Sequence, residues 1–357
     1  MGSVKDLEIV KEPTKTELGE GIFRFSNRYS VFDWGKMPDQ IPHKGKALCV
    51  MAAWNFERLE EQGINTHYLG LLDNSGRLTK IHSLREPSNN MVIKLSRVIM
   101  PKFENGRYDY SFFTQNRGKI NNFVVPLENI YRRGAPEGSS LFDTIAKLER
   151  EEKQDELRIL LTKYGLTQAP KPGDLFPQIG YDFTTKFESD DRKLGDEEAY
   201  KISGLTEKQF ETLKNLRNSV ADFVGRRAEE TGLADYDGKQ EYILFNGTIL
   251  LADVVGTLDE NRIMLNGHQI SKEILRQVYK TSQPGWHEGI IRAKEEAKKV
   301  GVKEWKSLMK IFPQRLKPRL VNLVGEMYAA GADRYTGLNL FKVRSLEKII
   351  EDLRNYN

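Results

Sequence analysis

The segment around Asn246-Gly247 constrains this chain more than any other. The pair stands between two apolar runs, Tyr242-Ile-Leu-Phe245 and Thr248-Ile-Leu-Leu251. A tight two-residue hairpin needs positive φ at its turn positions, which Asn and Gly adopt at least cost, so the segment specifies two antiparallel strands. Just ahead of it, Asp237, Lys239 and Glu241 alternate, and in a strand their side chains share one face. Asp253 follows the second arm. The hairpin therefore carries carboxylates on both arms and a lysine among them. Carboxylate oxygens suit a hard cation and an ammonium suits phosphate, the two demands of a magnesium–nucleotide site. The same charges would also serve as an ordinary solvated hairpin face. With a strict two-residue loop, Phe245 pairs with Thr248 and Glu241 with Ala252. Bringing Glu241 and Asp253 onto one face then requires a one-residue offset, expected from a bulge or a longer loop.

At 357 residues the chain is too long for one small core, and two domains are expected. Its 55 basic and 51 acidic residues nearly cancel, which argues against bulk nucleic-acid binding while leaving room for a local phosphate patch. No apolar run reaches membrane-spanning length, and the first residues do not read as a secretory signal. The single cysteine, Cys49, excludes an internal disulfide framework and fits a reducing, cytoplasmic setting. The five histidines are scattered without metal-ligand spacing, so zinc chemistry is not expected. The sequence does not fix the oligomeric state, and a homo-oligomer is compatible with it.

Gly21–Phe25, Asn90–Leu95 and Asn122–Pro126 read as strands. Lys44–Gln62 reads as a helix, with Leu48, Met51, Ala52, Phe56 and Leu59 on one stripe and Gly63 as its stop. Ser139–Tyr164 is helical and highly charged, and Glu149–Glu156 is its solvated face. Ala169-Pro-Lys-Pro-Gly173 breaks regular structure. Thr206–Gly232 reads as a long amphipathic helix capped by Thr206. The last eighty or so residues are expected to be helical.

Three further segments suggest chemistry. Asn27–Asp33 and Ile41-Pro-His-Lys44-Gly45 crowd polar groups ahead of a helix whose N-terminal amides could meet an anion; a capped loop is the equal alternative. In Val125–Ser140, a strand ends in Arg132 and Arg133, followed by Gly138-Ser139-Ser140 at a helix start. Guanidinium forks plus amide and hydroxyl donors make an anion site there the preferred reading. Phe183–Arg192, with Lys186 and Glu188, is a third polar cluster that alone would pass as an acidic loop.

In their order along the chain, these segments resemble the SAICAR synthetase family of purine-pathway ligases. The resemblance rests on Arg28-Tyr-Ser-Val-Phe-Asp33, Ile41-Pro-x-Lys44-Gly45, Val125-Pro-x-Glu128-x-x-x-Arg132 with Gly138-Ser139, and Thr185-Lys186-x-Glu188. It continues in Asp237-x-Lys239-x-Glu241, Asp253, Asp259-x-x-Arg262, Ser271-Lys272-Glu273-x-x-Arg276 and Tyr335-Thr336-Gly337, spanning about residues 11 to 340. It implies a mixed α/β fold: a small kinase-N-lobe-like β domain over residues 1–126, covering the nucleotide, and an ATP-grasp-like α/β domain over 127–357, helical from about 270. It implies ATP- and Mg²⁺-dependent joining of a carboxyaminoimidazole ribotide to L-aspartate through an acyl phosphate.

By that resemblance Glu241 and Asp253 hold the metal beside the ATP phosphates. Lys15 covers the phosphates, Glu128 lies near the nucleotide, and Lys239 and Asp237 are the catalytic pair. Arg132, Ser139, Ser140 and Arg262 take the ribotide phosphate, while Asp33, Lys44, Gly45 and Lys186 line the remaining substrate region. The chain departs from the family pattern at Pro13-Thr14 before Lys15, at His43, at Val254 (commonly Glu), and in an inserted run, Lys102–Asn121. A ligase with a different acid or amine, or a nucleotide-binding regulatory module without catalysis, are the alternatives these departures raise.

Overall fold

Gly19–Phe25 sets small or aromatic side chains at every second position, with Glu20, Ile22 and Arg24 between them, and its buried positions follow that alternation. In the computed structural model, which describes residues 4–104, 107–188, 191–302 and 304–356, this segment is the second strand of a five-stranded antiparallel sheet. The strands are β1 (Lys5–Lys11), β2 (Gly19–Phe25), β3 (Tyr68–Leu72), β4 (Leu78–Thr79) and β5 (Asn90–Leu95), in the order β1-β2-β5-β3-β4. β1 escaped the sequence reading because its short pattern, Lys-Asp-Leu-Glu-Ile-Val-Lys, alternates over only two apolar positions. Helix α1 (Lys44–Glu61) packs on this sheet and is buried almost all round through Phe56. Its start sits hard against β2: a Cβ on Gly45 would lie 2.8 Å from the carbonyl oxygen of Phe25.

The inserted run forms a hairpin, β6 (Lys102–Glu104) and β7 (Arg107–Asp109), followed by α2 (Ser111–Gln115); residues 105 and 106 lie outside the described residues. The second sheet contains β8 (Asn122–Val124), β9 (Leu127–Ala135), β10 (Asp174–Thr185), β11 (Lys193–Leu194), β12 (Ala234–Phe245), β13 (Thr248–Ala252), β14 (Asn261–Leu265) and β15 (His268–Gln269). Its order is β11-β10-β9-β12-β14-β15, with β8 and β13 also paired to β12. β12 is twelve residues long and serves as the spine: its first half pairs with β9 and β14, its second half with β8 and β13.

The hairpin forms as read. Asn246 and Gly247 adopt φ of 46° and 80°, and Phe245 pairs with Thr248. The charged helical stretch is a correction: it divides into α3 (Ser140–Arg150) and α4 (Gln154–Thr162), with Glu152 at φ 55° between them. Charge alone carried no signal for that break. α5 (Asp196–Ser203) precedes α6 (Glu207–Glu230), which carries the expected Thr206 cap as a full capping box with Gln209. The C-terminal part is helical as expected: α7 (Glu273–Ser282), α8 (Pro284–Val300), α9 (Pro318–Thr336) and α10 (Leu346–Arg354). One continuous apolar core runs beneath both sheets, α1, α6 and α9. Cys49 is buried in it, and burial pushes its thiol well above the usual pKa. Among the described residues no helix is long and apolar enough to cross a membrane.

Candidate active site

On β12, alternation sends Asp237, Lys239 and Glu241 to one face, while Gln240 and Tyr242 turn to the other and bond each other and α6. Lys239 Nζ lies 2.8 Å from Glu128 of β9, 3.4 Å from Glu241 and 3.7 Å from Glu260. Burial opposes its charge, but Glu260, Glu241 and Glu128 outweigh burial and hold its pKa above the usual lysine value. Lys186, in the loop after β10, pairs with Glu241. Burial pushes the Glu128 carboxyl up, the neighbouring Glu241 adds to this, and Lys239 opposes both.

Asp253 reaches the same cluster, though not by the route expected. There is no bulge: Glu241 pairs with Ala252, as a strict two-residue loop dictates. Instead Asp253, the first residue past β13, takes φ 61° and leaves the pleat there. Its carboxylate lies 2.8 Å from Lys5 of β1, and His67 Nε2 lies 3.1 Å from its backbone oxygen. Burial disfavours its charge, yet Lys5, Lys186 and Lys239 overcome that and hold its pKa below the usual range. Lys5 in turn is held charged, against its own burial, by Asp253, Glu260 and Glu241. Glu241 and Asp253 are thus bound into one electrostatic unit through shared lysines. Burial lowers the pKa of His67 to about 4, so its ring is neutral near pH 7 and its Nε2–H can donate to Asp253.

Four carboxylates (Glu128, Glu241, Asp253, Glu260) face three lysines (Lys5, Lys186, Lys239), leaving one negative charge in excess. Hard oxygen donors and excess negative charge fit Mg²⁺. Among the described residues no three acidic or histidine side chains form a ready cage.

A second row lies further along the same face. Asp237 pairs across the sheet with Arg132 on one side and Arg262 on the other. Arg262 grips Asp237 through two nitrogens, its Nε at 2.9 Å. Arg132 is 9% exposed, and its buried Nε has no hydrogen-bond partner, so an anion there would meet an unsatisfied donor. Of the arginine doublet, Arg132 alone faces this way; strand alternation sends Arg133 to the other face, where it bonds the Ala221 carbonyl and Asp222. Ser139 is buried and caps α3, its Oγ accepting from Leu141 N, while Ser140 is exposed at the first helical position.

The remaining residues have other partners. Lys15 is exposed in the β1–β2 loop, which Asn122 fixes by donating to the carbonyls of Thr14 and Glu17. Leu18 of that loop packs with Ile243, Leu250 and Ala252, apolar residues on the hairpin face that bears Glu241. Asp33 is exposed and pairs with Lys294 of α8, sharing no partner with the lysine–carboxylate cluster. Lys44 is fully buried against Asp259 at 2.6 Å, and Tyr328 donates to the same carboxylate. Gly45 N–H goes to Asn27 Oδ1 and Lys44 N–H to Ile41 O, so these helix-start amides are already taken. In the third polar segment, Glu188 and Glu198 hold Arg192, while Ser189 and Asp190 lie outside the described residues.

The insert docks on α5, with Arg117 stacked 4.0 Å from the Tyr200 ring. An open cavity of about 660 Å³ between them shares no residue with the lysine–carboxylate cluster. Val254 packs into the core. Sequence reading missed Lys5, Glu260 and His67. Lys5 lay in the strand not foreseen. Glu260, inside Asp259-x-x-Arg262, could have been noticed as a second acid beside a motif position.

The sequence model of the SAICAR synthetase family matches residues 10–293. A relative from Archaeoglobus fulgidus, provisionally named a phosphoribosylaminoimidazole-succinocarboxamide synthase, is 40% identical over 355 residues, 99% of each chain. The phosphoribosylaminoimidazole-succinocarboxamide synthase of Thermoplasma acidophilum is 28% identical over 281 residues, 76% of this chain and 81% of its own. Among solved structures, the SAICAR synthase from Saccharomyces cerevisiae complexed with SAICAR has a TM-score of 0.59 at 18% identity, covering 94% of this chain and 93% of that one. A type-2 SAICAR synthetase in complex with ADP has a TM-score of 0.53 at 16% identity, covering 88% and 99%. At those identities the structures bear on the fold, which is the mixed α/β architecture seen here. The family model and the sequence relatives carry the assignment further: this chain belongs to the SAICAR synthetase family.

Proposed function

We propose that the lysine–carboxylate cluster and the Arg132–Asp237–Arg262 row together form the site at which this chain makes SAICAR in an ATP-dependent ligation of purine biosynthesis. Family membership carries the reaction class. The observation that supports the placement is that Glu128, Lys186, Lys239, Glu241 and Asp253, drawn from four separate segments, converge on one another.

In this reading a carboxylate oxygen of the ribotide attacks the γ-phosphorus of ATP. The bond to the β–γ bridging oxygen breaks, and ADP leaves. The amine of L-aspartate then attacks the acyl carbon. The phosphate departs with the original carboxylate oxygen, and the amine nitrogen gives up its excess protons. Lys239, Lys186 and Lys5 balance the charge of the transferring phosphoryl group in a site that is already partly dehydrated, where each charge acts strongly. Glu241 and Asp253 would hold Mg²⁺, which supplies further neutralisation at the phosphates when bound. Leu18, packed over the buried Ile243, Leu250 and Ala252, marks an apolar layer beside Glu241 against which the nucleotide base would sit, with Lys15 over the phosphates. Asp237 orients Arg262. Arg132, Arg262 and the loop of Ser139 and Ser140 take the ribotide phosphate, and Asp33, Lys44 and Gly45 belong to the substrate side. Residues 1–126 act as the covering part and 127–357 as the part bearing the carboxylates, with β8 reaching across to β12.

Purified protein given ATP, Mg²⁺, the ribotide and L-aspartate is expected to release ADP and SAICAR together, and to release neither when any one is omitted. ADP release that ignores the ribotide but needs another carboxylate would reassign the acid substrate. Tight ATP binding without turnover of any acid–amine pair would make the chain a regulatory module.

A further inference from the structure

Behind the Arg132–Asp237–Arg262 row, the same three strands carry a second, buried row. Gly238 pairs with Tyr131 of β9 and with Asn261 of β14. Because neighbouring strand residues point to opposite faces, Tyr131 and Asn261 lie directly behind Arg132 and Arg262. Gly238 supplies the room: a Cβ there would lie 2.4 Å from Asn261 Nδ2 and 2.7 Å from the Tyr131 hydroxyl. Over that gap Asn261 Nδ2 donates to the Tyr131 oxygen at 2.6 Å. Asp235 closes the ring, accepting from Tyr131 at 2.6 Å and from Asn261 at 2.9 Å. It reaches this face where β12 shifts register against β14 between Asp235 and Asp237. Tyr131, Asp235 and Asn261 are 1%, 4% and 3% exposed, so nothing from solvent replaces a lost partner.

We infer that Tyr131, Asp235 and Asn261 are positioning residues that lock three strands in register and so set the spacing of Arg132 and Arg262 for the substrate's phosphate. The inference rests on the reading of Arg132 and Arg262 given above. Asp235 is a poor choice for a purely structural clamp. A buried carboxylate is costly, and an amide or hydroxyl network would hold the strands with less penalty. What it adds is an acceptor for two donors at once when ionised. Burial raises its pKa to about 7, against the two donors and Arg133, with Asp237 adding to the rise. The charged and titratable groups around it are Tyr131 and Arg133 of β9, Asp237 on its own strand and Tyr335 of α9, with Asp222 of α6 behind Arg133. Above that pH the carboxylate accepts both bonds. Below it, the neutral carboxyl still accepts from Asn261, but its own O–H has to donate toward Tyr131, which turns that bond round and deprives the Tyr131 hydroxyl of its acceptor.

The test is the ribotide KM, measured from pH 6 to 8.5 for the wild type, Asp235→Asn, Tyr131→Phe and Arg132→Ala. At pH 8, Asp235→Asn and Tyr131→Phe are expected to raise the ribotide KM about 5–10-fold with the ATP KM unchanged. For Asp235→Asn the ratio to wild type should narrow to about twofold at pH 6, where the wild-type carboxyl is itself neutral. The substrate phosphate titrates in the same range but does so for every variant, so the ratio removes it. A ribotide KM unchanged by both Asp235→Asn and Tyr131→Phe, with Arg132→Ala still raising it, overturns the inference and leaves the phosphate reading intact. A pH-independent ratio for a folded Asp235→Asn also overturns it, since a merely structural defect would behave that way. If Arg132→Ala leaves the ribotide KM alone, the phosphate reading fails and the inference falls with it. Should Asp235→Asn not fold, Tyr131→Phe decides the matter: a ribotide KM equal to that of the wild type overturns the inference.

Discussion

Replacing Glu241 by Gln is expected to cut ligase turnover by about 10²–10³-fold while leaving the protein folded. The substitution keeps the side chain's shape but removes one of the four carboxylates that share Lys5, Lys186 and Lys239. The cluster's single excess negative charge disappears, and with it the attraction for Mg²⁺. Lys186 and Lys239 also lose the partner they have in common, so the ammonium groups that should face the transferring phosphoryl are no longer held in place. Losses of that size, about 3–4 kcal/mol in the barrier, are typical when one preorganised charged group is removed from a polar transition-state site. The fold should survive because Lys239 retains Glu128 and Glu260, and Asp253 retains Lys5. Steady-state ADP release across a Mg²⁺ titration, alongside a thermal melt, checks both halves. Turnover within threefold of wild type would remove Glu241 from the site.

Arg132→Ala has the second largest expected effect, and it falls on a different parameter. The ribotide KM should rise about 10–100-fold with the ATP KM nearly unchanged, the range expected from losing hydrogen bonds to a charged group worth about 1.5–3 kcal/mol. Arg132 differs from Arg262, its neighbour in the row: Arg262 is gripped by Asp237, whereas the buried Nε of Arg132 has no hydrogen-bond partner. Arg133 Nε also lacks one, but that side chain faces away from the row and is held by Ala221 and Asp222. Measuring both KM values on the same preparation separates this from a general loss of activity. A raised ATP KM with an unchanged ribotide KM would move Arg132 to the nucleotide half of the cleft.

Much of this site was legible because β structure imposes a period of two. Asp237, Lys239 and Glu241 could be placed on one face from spacing alone, and Asn246-Gly247 fixed the register of the arm that follows. The same rule, had it been applied to Arg132-Arg133, would have separated the doublet, since adjacent strand residues cannot both face one site. What stayed hidden depends on backbone conformation or on long-range pairing. No spacing rule foretells that Asp253 adopts φ 61°, the turn that achieves what a bulge was expected to do. Lys5 comes from the edge strand of the other sheet, and its bond to Asp253 spans most of the chain. Lys44 read as a helix-start residue lining the substrate region. Its partner Asp259 lies 215 residues later, and only folding reveals that the pair is fully enclosed. The chemistry of the Tyr131–Asp235–Asn261 ring was equally invisible, because each member is an ordinary strand residue until three strands are laid side by side.

At the centre of the proposed mechanism, a carboxylate oxygen of the ribotide takes the γ-phosphoryl group of ATP and leaves with it as phosphate. Ribotide labelled with ¹⁸O in its carboxylate, turned over with ATP, Mg²⁺ and L-aspartate, puts that transfer to a direct measurement by mass analysis of the released phosphate. One ¹⁸O atom is expected in phosphate for each amide formed; phosphate free of the label while SAICAR accumulates would contradict phosphorylation of the carboxylate.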